Sequence, residues 1–242
     1  MTPANQLTVR GVPVEVVRKD IKNLHLGVYP PQGRVRVAVP ASMPDDAVRA
    51  AVVSRWAWVV RQRTRYQHTP RQTPREYVSG ESHYLFGRRY RLRVDAVAGH
   101  GSITTKGKAT LVMSVPEGST LEYRRQLMDR WVRQQLAEAT QPLLDKWATT
   151  MGLTQPVSLH LRRMRTRWAT VNEHTGRLTM NTEVARQPLE SIELLVVHEL
   201  GHFHTRGHGE AWIAQMDRWL PNWRDRQARL DASMLSHEAW HC

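Results

Sequence analysis

The residue types that could carry out chemistry are concentrated in one short stretch near residue 200. This stretch begins with His198, Glu199 and His202, and it ends with His208 after a bend at Gly207. On a helix with 3.6 residues per turn, two histidines four positions apart lie on one face, where their imidazoles can bind the same metal ion. A glutamate beside the first histidine can take a proton from a water bound to that ion. Three protein ligands and one water are typical of a catalytic zinc site, so we predict a zinc-dependent hydrolase, and in particular a peptidase.

The segment before these histidines predicts a buried helix. Pro188 suits a first helical turn, and apolar residues follow it at helical spacing. These residues are Ile192, Leu195, Val196 and Leu200. A chain with 12 His could produce the histidine spacing by chance. Polar groups that are buried without partners destabilise a fold by roughly several kcal/mol, however, and a metal ion provides such partners. The buried setting therefore favours a metal site.

Two further histidine patterns are expected to lie outside this site. His204 is about 200° around the helix from His202, so we expect it to face solvent or to support the ligands from behind. The five-residue pattern is repeated at residues 237–241, where no apolar stripe surrounds it and no later residue could provide a third ligand. A single helical turn at a chain end is unstable. The second match is therefore interpreted as coincidence, together with adventitious metal binding.

Length and composition limit the possible classes of protein. A chain of 242 residues can form one large domain or two modest ones with ample core. The single cysteine, Cys242, excludes an internal disulfide and fits a reducing compartment. Residues 1–17 lack the apolar centre of a signal peptide, and no apolar run approaches the roughly 18 residues of a membrane span. We therefore predict a cytoplasmic protein that does not cross a membrane.

The net charge of +13 is concentrated in the first part of the chain. Residues 1–150 hold 24 Lys and Arg against 12 Asp and Glu, whereas residues 151–242 hold 11 against 10. The densest basic stretch is residues 55–93. Surfaces rich in arginine attract phosphate backbones without reading sequence, so nucleic-acid contact through this stretch is one hypothesis. Only five of the 35 basic residues are lysines, so a solvated surface in a generally arginine-rich protein is the alternative.

Residues 1–115 are predicted to form a basic, β-rich part. Alternation of apolar and polar residues predicts strands in several stretches. These are residues 7–17, 24–39, 84–94, 102–106 and 109–115. Between the second and third of them, residues 42–45 form a helix-start signal. An apolar stripe from Val48 to Val60 then predicts one amphipathic helix that reaches about residue 66.

Residues 116–242 are predicted to form the metal-binding catalytic domain, which begins with a long helix. A capping box at Ser119 opens this helix, and Pro142 is expected to break or kink it before it continues to Gly152. Three strands are predicted before the metal-binding helix, at residues 157–163, 166–171 and 177–181. After the third histidine, an apolar stripe that includes Trp212 most simply packs in the core. A short sheet beside a metal-binding helix is a zincin-like arrangement, so the predicted fold class is α+β.

Segments spread over nearly the whole chain are similar to those of a known family. They are Trp58-Val59-Val60, Gly80-Glu81, Leu85 to Tyr90, Arg167-Trp168, Leu178 to Asn181, Val197 to His202, His208 to Trp212 and Pro221 to Trp223. With these segments the chain resembles the YgjP-like family of zinc metallopeptidases and, more distantly, SprT-like proteases. The resemblance implies that His198, His202 and His208 bind zinc and that Glu199 is the catalytic acid and base. The chain departs from the family pattern at residues 169–171, where Ala-Thr-Val replaces Gly-Ser-Cys, and at position 209, where Gly replaces Ser.

The predicted mechanism depends on the placement of charge. Zinc lowers the pKa of its bound water to about 7, and Glu199 accepts that proton and later delivers it to the leaving amine. An oxyanion stabiliser besides zinc is needed, and the candidates are Arg167, Trp168 and Arg206. We further hypothesise that the strand at residues 177–181 presents an edge to an extended peptide substrate.

Two other functions stay open on the sequence alone. One is a protease that acts on DNA-bound proteins through the basic part of the chain. The other is a nucleic-acid-associated module in which zinc is structural. Glu199 favours catalysis, because a structural site needs no carboxylate next to the metal. For the enzyme, zinc is the expected cofactor and a protein or peptide is the expected substrate.

Overall fold

The described part of the chain packs as two compact units. The computed structural model describes residues 5–29, 33–68, 75–164 and 167–232, and the first unit ends where the second begins at Arg75. Each unit combines helices with small sheets, so the predicted α+β class is confirmed. The predicted division into residues 1–115 and 116–242 stays a prediction, and the two packing units divide at residue 75. Residues 75–115 pack within the second unit.

The first unit is a four-stranded sheet with two helices. Its elements are β1 (Asn5–Val9), β2 (Val12–Lys19), β3 (His25–Tyr29), β4 (Arg34–Pro40), α1 (Asp45–Ser54) and α2 (Trp56–His68). The strand order is β1-β2-β4-β3, with β2 parallel to β4 and both outer pairs antiparallel. Because side chains alternate between the faces of a strand, alternate residues are buried: Val14 and Val16 in β2, and Val35, Val37 and Val39 in β4. These valines pack with Val48, Val52 and Val59 of the two helices.

The single amphipathic helix that was predicted to follow residues 42–45 and to reach about residue 66 is two helices in the structure. The chain leaves the helical conformation at Arg55, which has φ −106° and ψ 16°. Val52 and Val59 are both fully buried on either side of this break. Their spacing of seven residues fits two uninterrupted helical turns. The apolar pattern therefore continues across Arg55, and it could not reveal the break.

The second unit holds the predicted metal site. Its elements are β5 (Ser82–Leu85), β6 (Arg88–Ala96), β7 (Ser102–Lys106), β8 (Thr110–Val115), α3 (Leu121–Thr150), β9 (Ser158–Arg162), β10 (Ala169–Asn172), β11 (Arg177–Asn181), a 3₁₀ turn (Thr182–Arg186), α4 (Leu189–Gly201), α5 (Glu210–Trp219) and α6 (Trp223–Ala232). Strands β5 to β8 form a four-stranded sheet of order β5-β6-β8-β7. The other sheet has the order β10-β11-β9. Among the described residues, no helix is long and apolar enough to cross a membrane.

Helix α3 continues through Pro142, so the predicted break does not occur. A proline inside a helix removes one backbone hydrogen bond, which normally leaves a carbonyl four residues earlier without its partner. Here that carbonyl belongs to Glu138, which is exposed, as is Pro142 itself. Water can therefore satisfy the carbonyl. The opposite face of α3 is held in the core by Leu136 and Leu144.

The predicted metal-binding helix, α4, is anchored by a hydrogen-bonded carboxylate. Glu193 accepts hydrogen bonds from Trp147 Nε1 at 3.0 Å and Lys146 Nζ at 3.1 Å, both on α3. Arg226 of α6 donates to the same carboxylate at 2.8 Å. Partial burial alone would raise the pKa of Glu193, but these three donors outweigh it and lower the pKa. The carboxylate thus joins α3, α4 and α6.

Replacing Glu193 with glutamine is expected to lower the free energy of unfolding by about 1–2 kcal/mol at pH 7, because charge-assisted hydrogen bonds are lost. The folded-state pKa lies below the unfolded value, so the contribution is complete above about pH 5 and is lost as pH falls through the folded-state pKa. Urea unfolding of both proteins at pH 7 and at about pH 3.5 measures this difference. A Glu190→Gln variant, altered at an exposed position of α4, should match the wild type within about 0.5 kcal/mol. An equal loss for Glu193→Gln at both pH values would contradict the assignment.

Candidate metal centre

His198 and His202 lie one turn apart at the end of α4. The helix ends at Gly201, but His202 keeps helical backbone angles, with φ −67° and ψ −19°. Its N–H donates to the carbonyl of Glu199 at 3.2 Å, which tightens the last turn. The two imidazole rings therefore remain on one face, with their centroids 5.4 Å apart.

His208 is brought to the same point by the loop that follows α4. Gly207 has a φ of +73°, a conformation that glycine adopts without strain, and it redirects the chain. Thr205 Oγ1, which donates to Gln215 Oε1 at 2.8 Å, ties the loop to α5. As a result, His208 Nε2 lies 3.0 Å from His198 Nε2. One ring nitrogen from each of the three predicted histidines lies within 4.8 Å of the other two.

The geometry and charge of this histidine cluster fit a zinc ion. Two nitrogens that each lie about 2.1 Å from one tetrahedral ion are about 3.4 Å apart, within the range spanned by the three rings. Burial, together with the neighbouring His208 and His202, lowers the pKa of His198 to about 4. Burial and His202 also lower the pKa of His208. At neutral pH these two imidazoles are therefore uncharged, the form that binds a metal.

Trp212 of α5 packs against all three rings, stacked on His202 and edge-on to His198 and His208. Its indole lies 4.8 Å from the ring of His198, 6.3 Å from that of His202 and 4.6 Å from that of His208, measured between centroids. Trp212 is only 3% exposed, and Trp223 packs edge-on against it at 5.5 Å. The sequence placed Trp212 in the core, which is correct. Its contact with every histidine of the cluster was not predicted, because an apolar stripe does not reveal which polar groups it meets.

Glu199 is buried beside the cluster and contacts a strand edge. It is 8% exposed, and burial raises its pKa to about 7, although the backbone N–H of Val171 and the charge of Arg167 act in the opposite direction. A divalent cation at the three histidines would lower this pKa. The hydrogen bond from Val171 was not predicted, because a backbone donor leaves no signal in the sequence. This contact places the Glu199 carboxylate against β10.

Strand β10, rather than β11, forms the edge of the sheet beside Glu199. The hypothesis that residues 177–181 present an edge is wrong, because β11 pairs with β10 on one side and with β9 on the other. Strand β10 is in turn held by Asn181. The fully buried side-chain amide of Asn181 donates to the carbonyls of Met164 and Arg167 at 2.8 and 3.0 Å. These bonds fix the chain segments on both sides of residues 165–166.

The other predicted residues have different positions. His204 is exposed, and its ring contacts Trp219 at 5.4 Å. Arg167 and Arg206 are exposed, and Trp168 is half-buried. The repeated pattern at residues 237–241 lies outside the described residues. The basic stretch of residues 55–93 is divided between the two units.

A comparison with protein-family models finds one match that covers most of the chain. The model of the YgjP-like metallopeptidase domain matches residues 22–233. The chain belongs to the YgjP-like family. This membership confirms the predicted resemblance and supports a metallopeptidase that acts on protein or peptide substrates. A search of curated proteins finds no match.

Two solved structures are similar to part of this YgjP-like chain. The metallopeptidase zymogen of Pyrococcus abyssi abylysin is 19% identical, with a TM-score of 0.38, and the match covers 41% of this chain and 99% of that one. The metallopeptidase zymogen of Methanocaldococcus jannaschii jannalysin is 14% identical, with a TM-score of 0.37, and the match covers 40% and 91% of the two chains.

Alanine at position 198, 202 or 208 is expected to remove most of the bound zinc, because two imidazoles hold the ion far more weakly than three. Wild type is expected to retain about one zinc ion per chain. Elemental analysis after dialysis against a weak chelator measures the bound metal. His204→Ala is the matched control, since its ring lies outside the histidine cluster, and it should retain zinc as the wild type does. Full zinc content in the variants of the histidine cluster would contradict the ligand assignment.

Removal of the Trp212 indole is expected to weaken zinc binding about 10- to 100-fold, which is the usual effect of losing a group that orients metal ligands. Trp212→Phe keeps an aromatic platform and should lose much less affinity than Trp212→Ala. Competition with a chromophoric chelator measures the zinc affinity of folded protein. The control is Trp219→Ala, which removes an indole that contacts His204 instead. Equal losses in Trp212→Ala and Trp219→Ala would show that Trp212 only supports the fold.

Proposed function

We propose that this YgjP-like chain is a zinc-dependent peptidase of the HExxH type. In this proposal His198, His202 and His208 hold the zinc ion, and Glu199 is the general acid and base. The observation that carries the proposal is the convergence of three imidazole nitrogens within 4.8 Å, next to a carboxylate that is only 8% exposed. A structural site would not need this carboxylate, so the buried position of Glu199 favours catalysis over a structural zinc.

The residues of the chain supply binding and proton transfer. When bound, zinc supplies Lewis acidity, which lowers the pKa of a water and polarises a peptide carbonyl. Glu199 accepts the proton that the attacking water loses, and it then delivers this proton to the nitrogen of the leaving amine. Val171 N–H holds the carboxylate in place through its hydrogen bond.

The edge of β10 suits an extended peptide substrate. In the antiparallel pair of β10 and β11, Trp168 and Asn181 are a hydrogen-bonded pair, since Asn181 N–H donates to the carbonyl of Trp168 at 2.8 Å. Hydrogen-bonded and non-bonded pairs alternate along such a ladder, so Ala169 and Val171 direct their backbone groups to the opposite edge. A peptide added along this edge would run beside Glu199, as in other cases of β-strand addition.

Glu199→Gln is expected to retain zinc and to lose at least about 100-fold in kcat/KM, because glutamine cannot carry the proton. The measurement is cleavage of fluorescein-labelled unfolded proteins and peptides by zinc-loaded protein. Glu210→Gln serves as the control, since Glu210 is an exposed carboxylate in the first turn of α5. Cleavage by Glu199→Gln at the wild-type rate would refute the role of Glu199. If zinc-loaded wild type cleaves none of these substrates, the proposal of a peptidase fails.

A further inference from the structure

An exposed tryptophan lies between two arginines on the first unit. Trp58 of α2 is 36% exposed, although the next residue, Val59, is fully buried in the core. Arg55 precedes Trp58 by three residues, and Arg61 follows it by three. Arg55 lies at the break just before α2, and Arg61 lies within α2, where residues three apart are neighbours on the surface. Both arginines are exposed, and they line the same groove as Trp58.

These residues form one wall of an open groove. The opposite wall is the start of the outer strand β3, with Leu24, His25 and Leu26. The groove has a volume of about 610 Å³. Its eight lining residues include two arginines and one histidine but no carboxylate. The groove, defined here as the Trp58 groove, therefore combines an aromatic surface with positive charge.

The positive charge of the groove is not neutralised within the described structure. Residues 1–74 hold 12 Lys and Arg against 4 Asp and Glu, a net charge of +8. Other arginines of this unit form ion pairs with carboxylates: Arg18 pairs with Asp45, and Arg36 pairs with Glu15. The side chains of Arg55 and Arg61, by contrast, make no hydrogen bond or ion pair among the residues that the structure describes. Their charges are available to an anionic partner.

We propose that the Trp58 groove binds single-stranded nucleic acid. A base stacks on the indole of Trp58, and Arg55 and Arg61 contact the flanking phosphates. Stacking on an aromatic side chain between basic residues is how proteins bind single strands without sequence preference. A duplex keeps its bases stacked inside the helix, so it cannot use the indole. An acidic peptide could use the arginines but has no planar bases to cover an indole. This function is separate from the proposed peptidase site and does not depend on it.

Binding of a fluorescein-labelled oligothymidylate of roughly 12 nucleotides to the full chain, followed by fluorescence anisotropy, tests the proposal. The wild type should bind this single strand more tightly than a duplex of the same length. Trp58→Ala should raise the Kd about 5- to 100-fold, and Trp58→Phe should raise it less, because a smaller ring still stacks. Trp58 is partly exposed, and an unchanged thermal melt of each variant verifies the fold.

The dependence of Kd on salt concentration distinguishes phosphate contacts in the Trp58 groove from general attraction by the net charge of the protein. Between about 50 and 200 mM salt, the double variant Arg55→Gln/Arg61→Gln should reduce the slope of log Kd against log salt by about 1.4, since each phosphate contact to a single strand contributes about 0.7. The matched control is Arg88→Gln/Arg89→Gln, which removes the same charge from exposed arginines of the second unit. This control should leave the slope and the effect of Trp58 unchanged.

Three results would overturn the proposal. The first is the absence of oligonucleotide binding by the wild type at low salt. The second is that Arg88→Gln/Arg89→Gln weakens oligonucleotide binding as much as Arg55→Gln/Arg61→Gln does. This result would show that the total charge of the protein attracts the oligonucleotide. The third is Trp58-dependent binding of polyglutamate or of anionic phospholipid vesicles in preference to the oligonucleotide. That result would assign the groove to an acidic protein or to a lipid surface.

Discussion

Burial of a polar helix end is the constraint on which the metal centre depends. The same desolvation has opposite effects on two neighbouring residues of α4: it lowers the pKa of His198 and raises that of Glu199. Both shifts favour the uncharged form. The protein thus creates a nearly neutral pocket that includes a carboxyl group, which would be fully ionised at neutral pH in an exposed position. A divalent cation that enters this pocket can bind the unprotonated nitrogens of the uncharged imidazoles. Its positive charge then favours the ionised form of Glu199.

The side chains of this centre are positioned by contacts with helices, loops or strands other than the ones that carry them. His208 comes from the loop before α5, and Trp212 of α5 packs against all three imidazoles. Helix α4 is fastened to α3 and α6 through Glu193. The backbone donor to Glu199 comes from β10. Ligand geometry is therefore a property of the whole second unit, since no single helix could keep three rings and a carboxylate at these distances.

The sequence predicted the grouping of the three histidines better than it predicted their surroundings. The spacing of His198, Glu199 and His202 is a local pattern on one helix, so it could be found without a structure. The position of β11 between two other strands depends on pairing with distant segments, and its burial pattern does not distinguish a central strand from an outer one. The break at Arg55 and the continuity of α3 at Pro142 depend on packing and solvent exposure, which override local propensity.

Helix α3 has a mechanical consequence for the second unit. Its first half contributes Leu127 and Met128 to the core beneath the sheet of β5 to β8, and its second half contributes Leu136 and Leu144 to the core around α4. This single 30-residue helix therefore belongs to both cores. Unfolding of either core removes the packing of half of α3 and thereby destabilises the other core. The two cores are therefore expected to unfold in a single cooperative step. A fragment that starts at residue 116 would expose Leu127 and Met128 to water, and such a catalytic fragment would be prone to aggregate.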